Sequence, residues 1–396
     1  MKKVVLAYSG GLDTSVILKW LQEEKNLDVI TYTADLGQGD ISDDLEEKAK
    51  SLGASKVIVE DLTEEFISEY VFPMFRCNTI FEGEYLLGTA IARPLIAKKL
   101  VEIGKQEGTD IICHGATGKG NDQIRFDLSI RAHGKFNIIT PIREIQNITK
   151  NVRGYEEEYL QDKGFKVSSL HKKYSVNENL MGATISGSEI DEWEEPSSES
   201  YVLCKLPHQY PKKPKTLKIK FLRGKVVAIN NKKMQGADFL RSLNALGGSF
   251  GIGRSVFSSD TIIGLKGRFV FEAPGIAILM SAHRALEETV LTDKQNYVKA
   301  QVGQEWVNLV YRGFYFEPLR GNLEAFLHDS QKTVSGEVTL KLTPGRVDAV
   351  AVKSKNILKS PEGAYAQSAT WSEAESKGFI KLIGQSTSTW SSIHKK

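Results

Sequence analysis

Strand-like and helix-like segments alternate through the first 140 residues, and this alternation constrains the fold more than any other feature of the chain. Apolar runs at 4–8, 29–34 and 56–59 are each followed by a helical pattern, at 14–24, 43–52 and 63–72. A long helix near 88–106, a buried strand at 110–114, a helix at 122–133 and a strand at 137–140 follow. Because strands that alternate with helices usually pair in parallel, an α/β fold with a doubly wound parallel sheet is predicted.

The character of the sequence changes in its second half. An acidic, Ser-rich stretch at 186–200 and a Pro- and Lys-rich stretch at 206–216 indicate irregular connections. Hairpins are predicted around Arg223-Gly224 and Pro344-Gly345, with amphipathic helices between them near 238–245, 276–290, 294–310 and 317–332. These patterns predict an α+β domain. The last thirty residues contain one short apolar strand, at 379–383, and too little else to fold alone.

Composition excludes several classes of protein. The longest apolar runs of the 396 residues are far short of a membrane span, and the net charge of +3 predicts no nucleic-acid surface. The three cysteines form no CxxC pair, which argues against a disulfide framework or a zinc site, so no protein-held metal is predicted. The N-terminus lacks the apolar region of a signal peptide, so a cytoplasmic location is expected.

The string AYSGGLDTS, directly after the first strand, is the most informative segment. Gly10 and Gly11 permit close backbone approach, so successive amides can point at a phosphate while the helix N-terminus adds partial positive charge. The alternative is a plain Gly-Gly turn in which Asp13 or Thr14 caps the helix. The position of the whole string, after an apolar strand at the start of the chain, favours phosphate binding.

Two common nucleotide motifs are missing from the sequence. It contains no GxxxxGK[ST], and no GxGxxG opens the first helix, which argues against P-loop NTPases and dehydrogenases. SGGLDTS instead resembles the pyrophosphatase loop of enzymes that split ATP between its α and β phosphates. AMP and pyrophosphate are the products that this resemblance implies.

A second polar loop, GATGKGNDQIRF at 115–126, follows the buried strand at 110–114. Its three glycines and its Asn121-Asp122 pair predict a loop at the carboxyl edge of the sheet, where ligands of doubly wound folds bind. Capping of the next helix by Asn121 and Asp122 is the alternative. The density of donors and acceptors in this short loop favours a binding role.

Taken together, these motifs closely resemble the argininosuccinate synthase family over nearly the whole chain. Besides the two loops, the motifs that fall in that family's order are EYLLGTAIARPLIAKKLVEI, YSVNENLMG, GIGR, FEAP, AHRALE, LVYRGFYF and PLR. The resemblance implies an N-type ATP pyrophosphatase-like nucleotide-binding domain at 1–165, a synthetase domain at 166–360 and a C-terminal oligomerisation tail at 361–396. It also implies a homotetramer.

The resemblance implies a reaction as well. The ureido oxygen of citrulline attacks the α-phosphate of ATP, pyrophosphate leaves, and the aspartate amine then displaces AMP. Mg²⁺ is expected to arrive with ATP. Catalysis in such a site consists mainly of positioning and charge stabilisation.

Site residues follow from the resemblance, residue by residue. The ATP site would comprise Ala7, Tyr8, Ser9, Gly10, Gly11, Leu12, Asp13, Thr14, Ser15, Ala34 and Gly115. Aspartate would be held by Thr117, Asn121 and Asp122, and the second substrate by Arg125. Asp122, which would orient the attacking amine or accept its proton, and Asp13 are the candidate catalytic residues.

The pocket for the second substrate departs from the family pattern. Its tyrosine is present as Tyr85 and one serine as Ser175, whereas Ala90 and Thr184 stand at two further serine positions. Ser259 stands where the family has a glutamate that helps to hold an amino acid's charged end, and Phe271 replaces a tyrosine. A charge-assisted hydrogen bond is worth about 1.5–3 kcal/mol, so the loss of the glutamate weakens citrulline binding unless another residue such as Asp260 compensates.

Three alternatives follow from these departures and from local charge. A paralogue would keep ATP and aspartate but adenylate a different ureido, amide or carbonyl acceptor. A tRNA-modifying enzyme would use a similar loop and the lysines near 212–220. However, Lys218 and Lys220 alternate with apolar residues as the solvated face of a strand does. A non-catalytic binding protein would have no reason to keep the polar groups of both loops.

Overall fold

The computed structural model describes residues 1–39, 41, 43–165, 173–233, 236–364 and 367–395. Two compact units are present, Met1–Asn356 and Ile357–Lys396, and each is described by itself. The first unit contains both the α/β part and the α+β part of the chain. The predicted boundary after residue 165 adjoins 166–172, which lie outside the described residues.

A parallel five-stranded sheet forms in the N-terminal part of the described chain. Its strands are β1 (Lys2–Ala7), β2 (Leu27–Asp35), β3 (Lys56–Asp61), β4 (Ile111–Cys113) and β5 (Asn137–Ile139), in the order β3-β2-β1-β4-β5. Val4, Val5 and Leu6 of β1 are fully buried, as expected for a strand covered on both faces. The predicted doubly wound sheet is confirmed.

Helices connect these strands. They are α1 (Leu12–Glu23), α2 (Asp43–Ser51), α3 (Thr63–Glu65), α4 (Phe72–Cys77), α5 (Gly88–Glu107), α6 (Asp122–Ala132), α7 (Pro141–Ile148) and α8 (Val152–Asp162), with a π-helical stretch, Phe66–Val71, between α3 and α4. The strand order reverses at β1, because β2 pairs on one side of it and β4 on the other. The loops after β1 and β4 therefore meet at one edge of the sheet, where ligands of such folds bind.

Antiparallel sheets dominate the second part of the described chain. The strands are β6 (Ser175–Asn179), β7 (Gly182–Ser186), β8 (Lys215–Leu222), β9 (Lys225–Ile229), β10 (Lys232–Lys233), β11 (Arg254–Asp260), β12 (Lys266–Glu272), β13 (Gly336–Thr343) and β14 (Arg346–Lys353). One sheet has the order β10-β9-β8-β13-β14 and the other β11-β12-β7-β6. The helices are α9 (Ala237–Ser249), α10 (Pro274–Val290), α11 (Asp293–Tyr311) and α12 (Pro318–Ser330). Both predicted hairpins are present, whereas the strands of the second sheet were not predicted.

A buried carboxylate fixes the end of β12. Glu272 is fully buried and accepts hydrogen bonds from the backbone N–H groups of Val202, Leu203 and Cys204, at 2.7, 2.8 and 2.9 Å. Gly182 packs against the same turn, where a Cβ would lie 1.9 Å from the Glu272 carbonyl oxygen. The YSVNENLMG and FEAP motifs therefore meet in the fold, and both contribute to a close backbone contact.

The second unit contains short strands, β15 (Gly363–Ala364) and β16 (Ser368–Ala369), and helices α13 (Glu373–Ile383) and α14 (Gln385–His394). The prediction of a strand at 379–383 was wrong. Ser372 and Glu375 form a capping box that starts α13, and Phe379 and Ile383 are spaced as neighbours on one helix face. Both of these apolar side chains are largely exposed within this chain.

No helix in the described ranges combines the length and the apolar character that a membrane crossing requires. Cys77, Cys113 and Cys204 are free and buried. Burial raises the pKa of the Cys77 and Cys113 thiols well above its ordinary value, so these thiols stay protonated.

A buried ion pair joins helices α10 and α11. Lys299 donates to Glu287 Oε2 at 3.0 Å, and the same oxygen accepts from Asn78 Nδ2 at 2.9 Å. Gln331 donates to Glu287 Oε1 at 2.7 Å and accepts from His283 Nε2 at 2.9 Å. Burial raises the pKa of the Glu287 carboxyl, but His283, Lys299 and Gln331 outweigh burial and hold it below its usual range.

Replacing Lys299 with methionine should lower the free energy of unfolding by about 3–5 kcal/mol, because it leaves the Glu287 carboxylate buried without its cation. Urea denaturation followed by tryptophan fluorescence measures the change. Lys294→Met, at an exposed position of the same helix, is the matched control and should change stability little. Equal stability of the two variants would contradict this account of the ion pair.

Candidate active site

The loop after β1 presents an open helix N-terminus. Gly10 has φ +74°, and Gly11 is the N-cap of α1, where no side chain makes a capping hydrogen bond among the described residues. Thr14 Oγ1 accepts from the Ser9 N–H at 3.3 Å, so Thr14 braces the loop and does not cap the helix. The first N–H groups of α1 are therefore without side-chain caps and can serve an anion.

Neighbouring strands and helices hold this loop in place. The Tyr8 N–H donates to the Tyr32 carbonyl at 2.8 Å, and Thr33 Oγ1 donates to the Tyr8 carbonyl at 2.6 Å. Ala34 is buried at the end of β2, where its carbonyl accepts from Gln38 at 2.7 Å. Lys48, which the sequence did not single out, reaches from α2 and donates to the Gly10 carbonyl at 2.6 Å. A positive charge thus lies beside the open helix end.

The loop after β4 packs directly on the first. A Cβ on Gly115 would lie 3.0 Å from Ile17 Cδ1 and 3.6 Å from Thr14 Cγ2, so this glycine allows the two loops to touch. His114 is fully buried, with its Nε2 2.8 Å from Asp127 Oδ1 and its Nδ1 accepting from the Ala116 N–H at 3.2 Å. His114 is therefore a structural histidine with both ring nitrogens bonded. Thr117 is exposed on the same loop.

Asn121 connects this loop to the second part of the chain. Its Nδ2 donates to the Tyr311 hydroxyl at 3.1 Å, and its Oδ1 accepts from the Ile262 N–H at 2.8 Å. Tyr311 in turn donates to the Asp260 carbonyl at 3.1 Å and stacks on Phe81 with ring centroids 3.8 Å apart. The α11 terminus and the β11–β12 turn therefore form one wall of the site.

Asp122 lies between two guanidinium groups. Arg93 Nε donates to its Oδ2 at 2.8 Å and Arg125 Nη1 to its Oδ1 at 2.9 Å. Burial raises the pKa of Asp122, but the charges and hydrogen bonds of Arg93 and Arg125 outweigh burial and hold that pKa below its usual range. Asp122 is therefore a carboxylate with little tendency to accept a proton, which favours orientation of a ligand over general-base catalysis.

Arg125 is fixed from its other side. Its Nε and Nη2 both donate to the Tyr311 carbonyl, at 3.0 and 2.9 Å, and the side chain is 4% exposed. Arg93 Nη2 also donates to Asn177 Oδ1 at 2.9 Å, which ties α5 to β6. Ser175 lies two residues before Asn177 and so on the same face of this strand, where its side chain is exposed.

Three of the predicted pocket residues come together on an aromatic wall. Thr184 pairs with Phe271 across β7 and β12, and Tyr85 lies edge-on to Phe271 with ring centroids 5.7 Å apart. These residues line a cavity of about 10 Å³, too small for an amino acid. Ala90 is fully buried in α5, one residue beyond Thr89, whose Oγ1 donates to Thr184 Oγ1 at 3.0 Å.

Ser259 lies on β11, the strand that pairs with β12. It is half-buried near the end of β11, next to Asp260, whose carbonyl binds the Tyr311 hydroxyl. Tyr311 is also edge-on to Tyr85, with ring centroids 6.3 Å apart. The structure therefore groups Ser259 with Asn121 and Tyr311, and groups Thr184 with Phe271, with Tyr85 between the two groups.

Four contacting residues were missed by sequence reasoning, namely Lys48, Arg93, Asn177 and Tyr311. Arg93, Asn177 and Tyr311 lie inside motifs that resemble the family, but nothing within those motifs distinguishes these residues from their neighbours. Lys48 lies in an acidic helix without any recognisable pattern. In the part of the chain that the structure describes, no cluster of three or more His, Cys, Asp or Glu side chains forms a metal cage.

A doubly wound sheet with an uncapped helix end after its first strand and a polar loop on the same edge defines a nucleotide-binding α/β protein. The family model described as "Arginosuccinate synthase N-terminal HUP domain" matches residues 3–165, and "Arginosuccinate synthase C-terminal domain" matches residues 174–390. The chain belongs to the argininosuccinate synthase family and is an ATP-dependent ligase.

Relatives over the full length carry the same name. Argininosuccinate synthase of Xanthomonas campestris pv. campestris is 45% identical over 396 residues, which cover 100% of this chain and 99% of the relative. That of Xylella fastidiosa is 43% identical over 100% and 98%, and that of Helicobacter hepaticus 43% identical over 96% and 96%. A solved structure of a predicted tRNA methyltransferase subunit from Methanocaldococcus jannaschii is similar over 40% of this chain and 77% of that chain, at 22% identity and a TM-score of 0.29, too weakly to bear on function.

Replacing Arg93 with glutamine should raise the pKa of the Asp122 carboxyl by about 1 to 3, because burial remains while one of the two neighbouring positive charges is lost. A ¹³C NMR titration of aspartate-labelled protein measures this pKa. Arg93→Lys keeps the charge and should give a smaller rise. An unchanged Asp122 titration in the glutamine variant would contradict the assigned role of Arg93.

Proposed function

We propose that this chain joins citrulline to aspartate at the expense of ATP, giving argininosuccinate, AMP and pyrophosphate. The observation that carries the proposal is the meeting of the β1 and β4 loops at the point where the strand order reverses. One loop offers an open helix N-terminus to phosphate, and the other offers Asn121, Asp122 and Arg125 to an amino acid. The full-length relatives, at 41–45% identity, support the same reaction.

ATP binds at the first loop in this proposal. The amides at the start of α1 donate hydrogen bonds to the phosphates, and Ser9, Thr14 and Ser15 contribute hydroxyls. These hydroxyls are bonded within the loop in the structure, with Ser15 Oγ donating to the Gly11 carbonyl at 2.7 Å. Lys48 adds charge beside the loop. The loop is therefore preorganised, and charge stabilisation needs little rearrangement.

Mg²⁺ is proposed to accompany the nucleotide. The described residues form no cluster of three or more metal-ligating side chains, which suits an ion held mainly by phosphate oxygens and water. Such an ion would neutralise negative charge on the phosphates. The protein contributes the fixed dipoles of α1 and the position of the two loops.

Aspartate and the acceptor meet at the second loop. Thr117 and Asn121 hold aspartate, and Asp122 orients its amine, because the two arginines keep this carboxylate ionised and fixed. Arg125, whose guanidinium is bonded to the Tyr311 carbonyl, faces the acceptor. Tyr85, Ala90, Ser175, Thr184, Ser259 and Phe271 are proposed to surround the acceptor. Since the cavity at Thr184 and Phe271 is almost filled, we infer that the acceptor lies on the Ser259 and Tyr311 side of Tyr85.

A homotetramer and a cytoplasmic location remain predictions. The apolar side chains that α13 and α14 leave exposed, including Phe379, Ile383 and Trp390, support assembly with further subunits.

The reaction is tested by measuring AMP and pyrophosphate with ATP, Mg²⁺ and aspartate, with and without citrulline. We expect equal amounts of both products, released only when all substrates are present, because the aspartate amine needs an adenylated carbon to attack. Omitting each substrate in turn is the control. Product release that citrulline does not stimulate would contradict the assignment and point to a different acceptor.

Replacing Ser259 with glutamate should lower the KM for citrulline roughly tenfold or more and leave the KM for ATP unchanged. The added carboxylate supplies one charge-assisted hydrogen bond, worth about 1.5–3 kcal/mol, to a cationic amine. Ser258→Glu is the matched control, because Ser258 is the exposed neighbour on the opposite face of β11. If both variants have the citrulline KM of the parent, Ser259 does not face the acceptor.

A further inference from the structure

Glu156 is a buried acid to which the proposed reaction gives no role. It lies in α8, is 2% exposed, and has a carboxyl oxygen, Oε1, that is buried without a hydrogen-bond partner among the described residues. Helix α8 packs on α1, the helix that begins in the loop after β1, which is the proposed phosphate loop. A buried and incompletely bonded carboxyl at such a position is costly to stability and calls for a functional account.

The charged groups that act on Glu156 come from two helices. Asp13 lies in the first turn of α1, the helix on which α8 packs, and is exposed. Arg153 and Glu157 of α8 pair with each other at 3.5 Å. Burial, then the charge of Asp13 and a hydrogen bond to Asp13, raise the pKa of Glu156 to about 8, against a weaker opposite effect of Arg153.

Two carboxyl groups in contact either share a proton or hold a cation between them. Mg²⁺ usually keeps several waters, and a carboxyl that is only 2% exposed is poorly accessible to a hydrated ion. Glu156 is buried whereas Asp13 is exposed, and burial disfavours the charged form of a carboxyl, so the shared proton resides on Glu156. The pair then carries one negative charge at neutral pH.

We propose that Glu156 is a positioning residue of the phosphate loop, which in its protonated form donates a hydrogen bond to Asp13 and limits this pair to one negative charge. The proposal rests on the proposed function, because it takes the loop to be the ATP site. Loss of the proton places a second negative charge beside the site of a triphosphate, and like charges at short range repel.

The binding of ATP and the binding of a proton to Glu156 are therefore coupled. ATP binds the protonated pair more tightly, and by linkage it raises the proton affinity of Glu156 in return. ATP binding should weaken as the pH rises through about 8. In Glu156→Gln the amide donates to Asp13 at every pH and cannot ionise, so this variant mimics the protonated enzyme.

The test measures the dissociation constant of Mg²⁺-ATP by isothermal titration calorimetry between about pH 6.5 and 9.5. In the parent protein we expect the constant to rise at least about fivefold across pH 8, and in Glu156→Gln to stay nearly constant at the low-pH value. Glu158→Gln removes an exposed carboxylate from the same helix and should behave as the parent does. This control separates the effect of the pair from the ionisation of ATP and from the general charge of α8.

Thermal stability gives a second readout. The folded pKa of Glu156 lies above its unfolded value of about 4.3, so its stabilising contribution is complete below that value and is lost as the pH rises to about 8. Glu156→Gln does not suffer this loss. Its melting temperature should exceed that of the parent by an amount that grows with pH and levels off above pH 8.

The outcomes are distinguishable. A pH-independent dissociation constant in the parent, or a glutamine variant that follows the parent in both series, overturns the proposal and leaves ATP binding intact. If Mg²⁺ without ATP raises the melting temperature of the parent but not of Glu156→Gln, the pair is a cation site and the proposal is wrong. Absence of ATP binding at every pH overturns the proposed function itself.

Discussion

The pairing of β1 with β2 on one side and β4 on the other is the constraint on which the rest of the site depends. The two strands next to β1 lead into connections on opposite faces of the sheet, so the loops after β1 and β4 approach each other at its carboxyl edge. Gly115 then allows these loops to touch, because any side chain there would meet Ile17. The two loops that are proposed to bind nucleotide and amino acid, about a hundred residues apart in the sequence, thereby lie side by side.

The second part of the chain completes that site and also holds it rigid. Tyr311 contacts Asn121 through its hydroxyl and Arg125 through its carbonyl, so the end of α11 positions two residues of the β4 loop. The turn after β11 closes on Asn121 through the Ile262 N–H. These three contacts join the α/β part and the α+β part of the chain, which lie in one compact unit.

Much of the fold and of the site could be predicted from local patterns. The parallel sheet follows from alternating strands and helices, and the two loops follow from strings in which glycines and polar residues are adjacent in sequence. Arg93 and Tyr311 could not be found in this way, because each acts through a partner that only the tertiary fold brings near. Glu156 was missed for the same reason, since nothing in α8 reveals that Asp13 lies against it. The error at 379–383 arose because a short apolar run does not distinguish a strand from a helix without its cap.

The double hydrogen bond from Arg125 to the Tyr311 carbonyl has a consequence for recognition. A free arginine side chain carries about 2 kcal/mol of rotamer entropy, which a flexible arginine gives up when it captures a ligand. Arg125 has three of its N–H groups engaged, by Tyr311 and Asp122, before any ligand arrives. Its conformational freedom is therefore lost when the chain folds and not when substrate binds. A ligand of Arg125 would meet a guanidinium plane that is already set, so its affinity would depend on geometry more than on net charge.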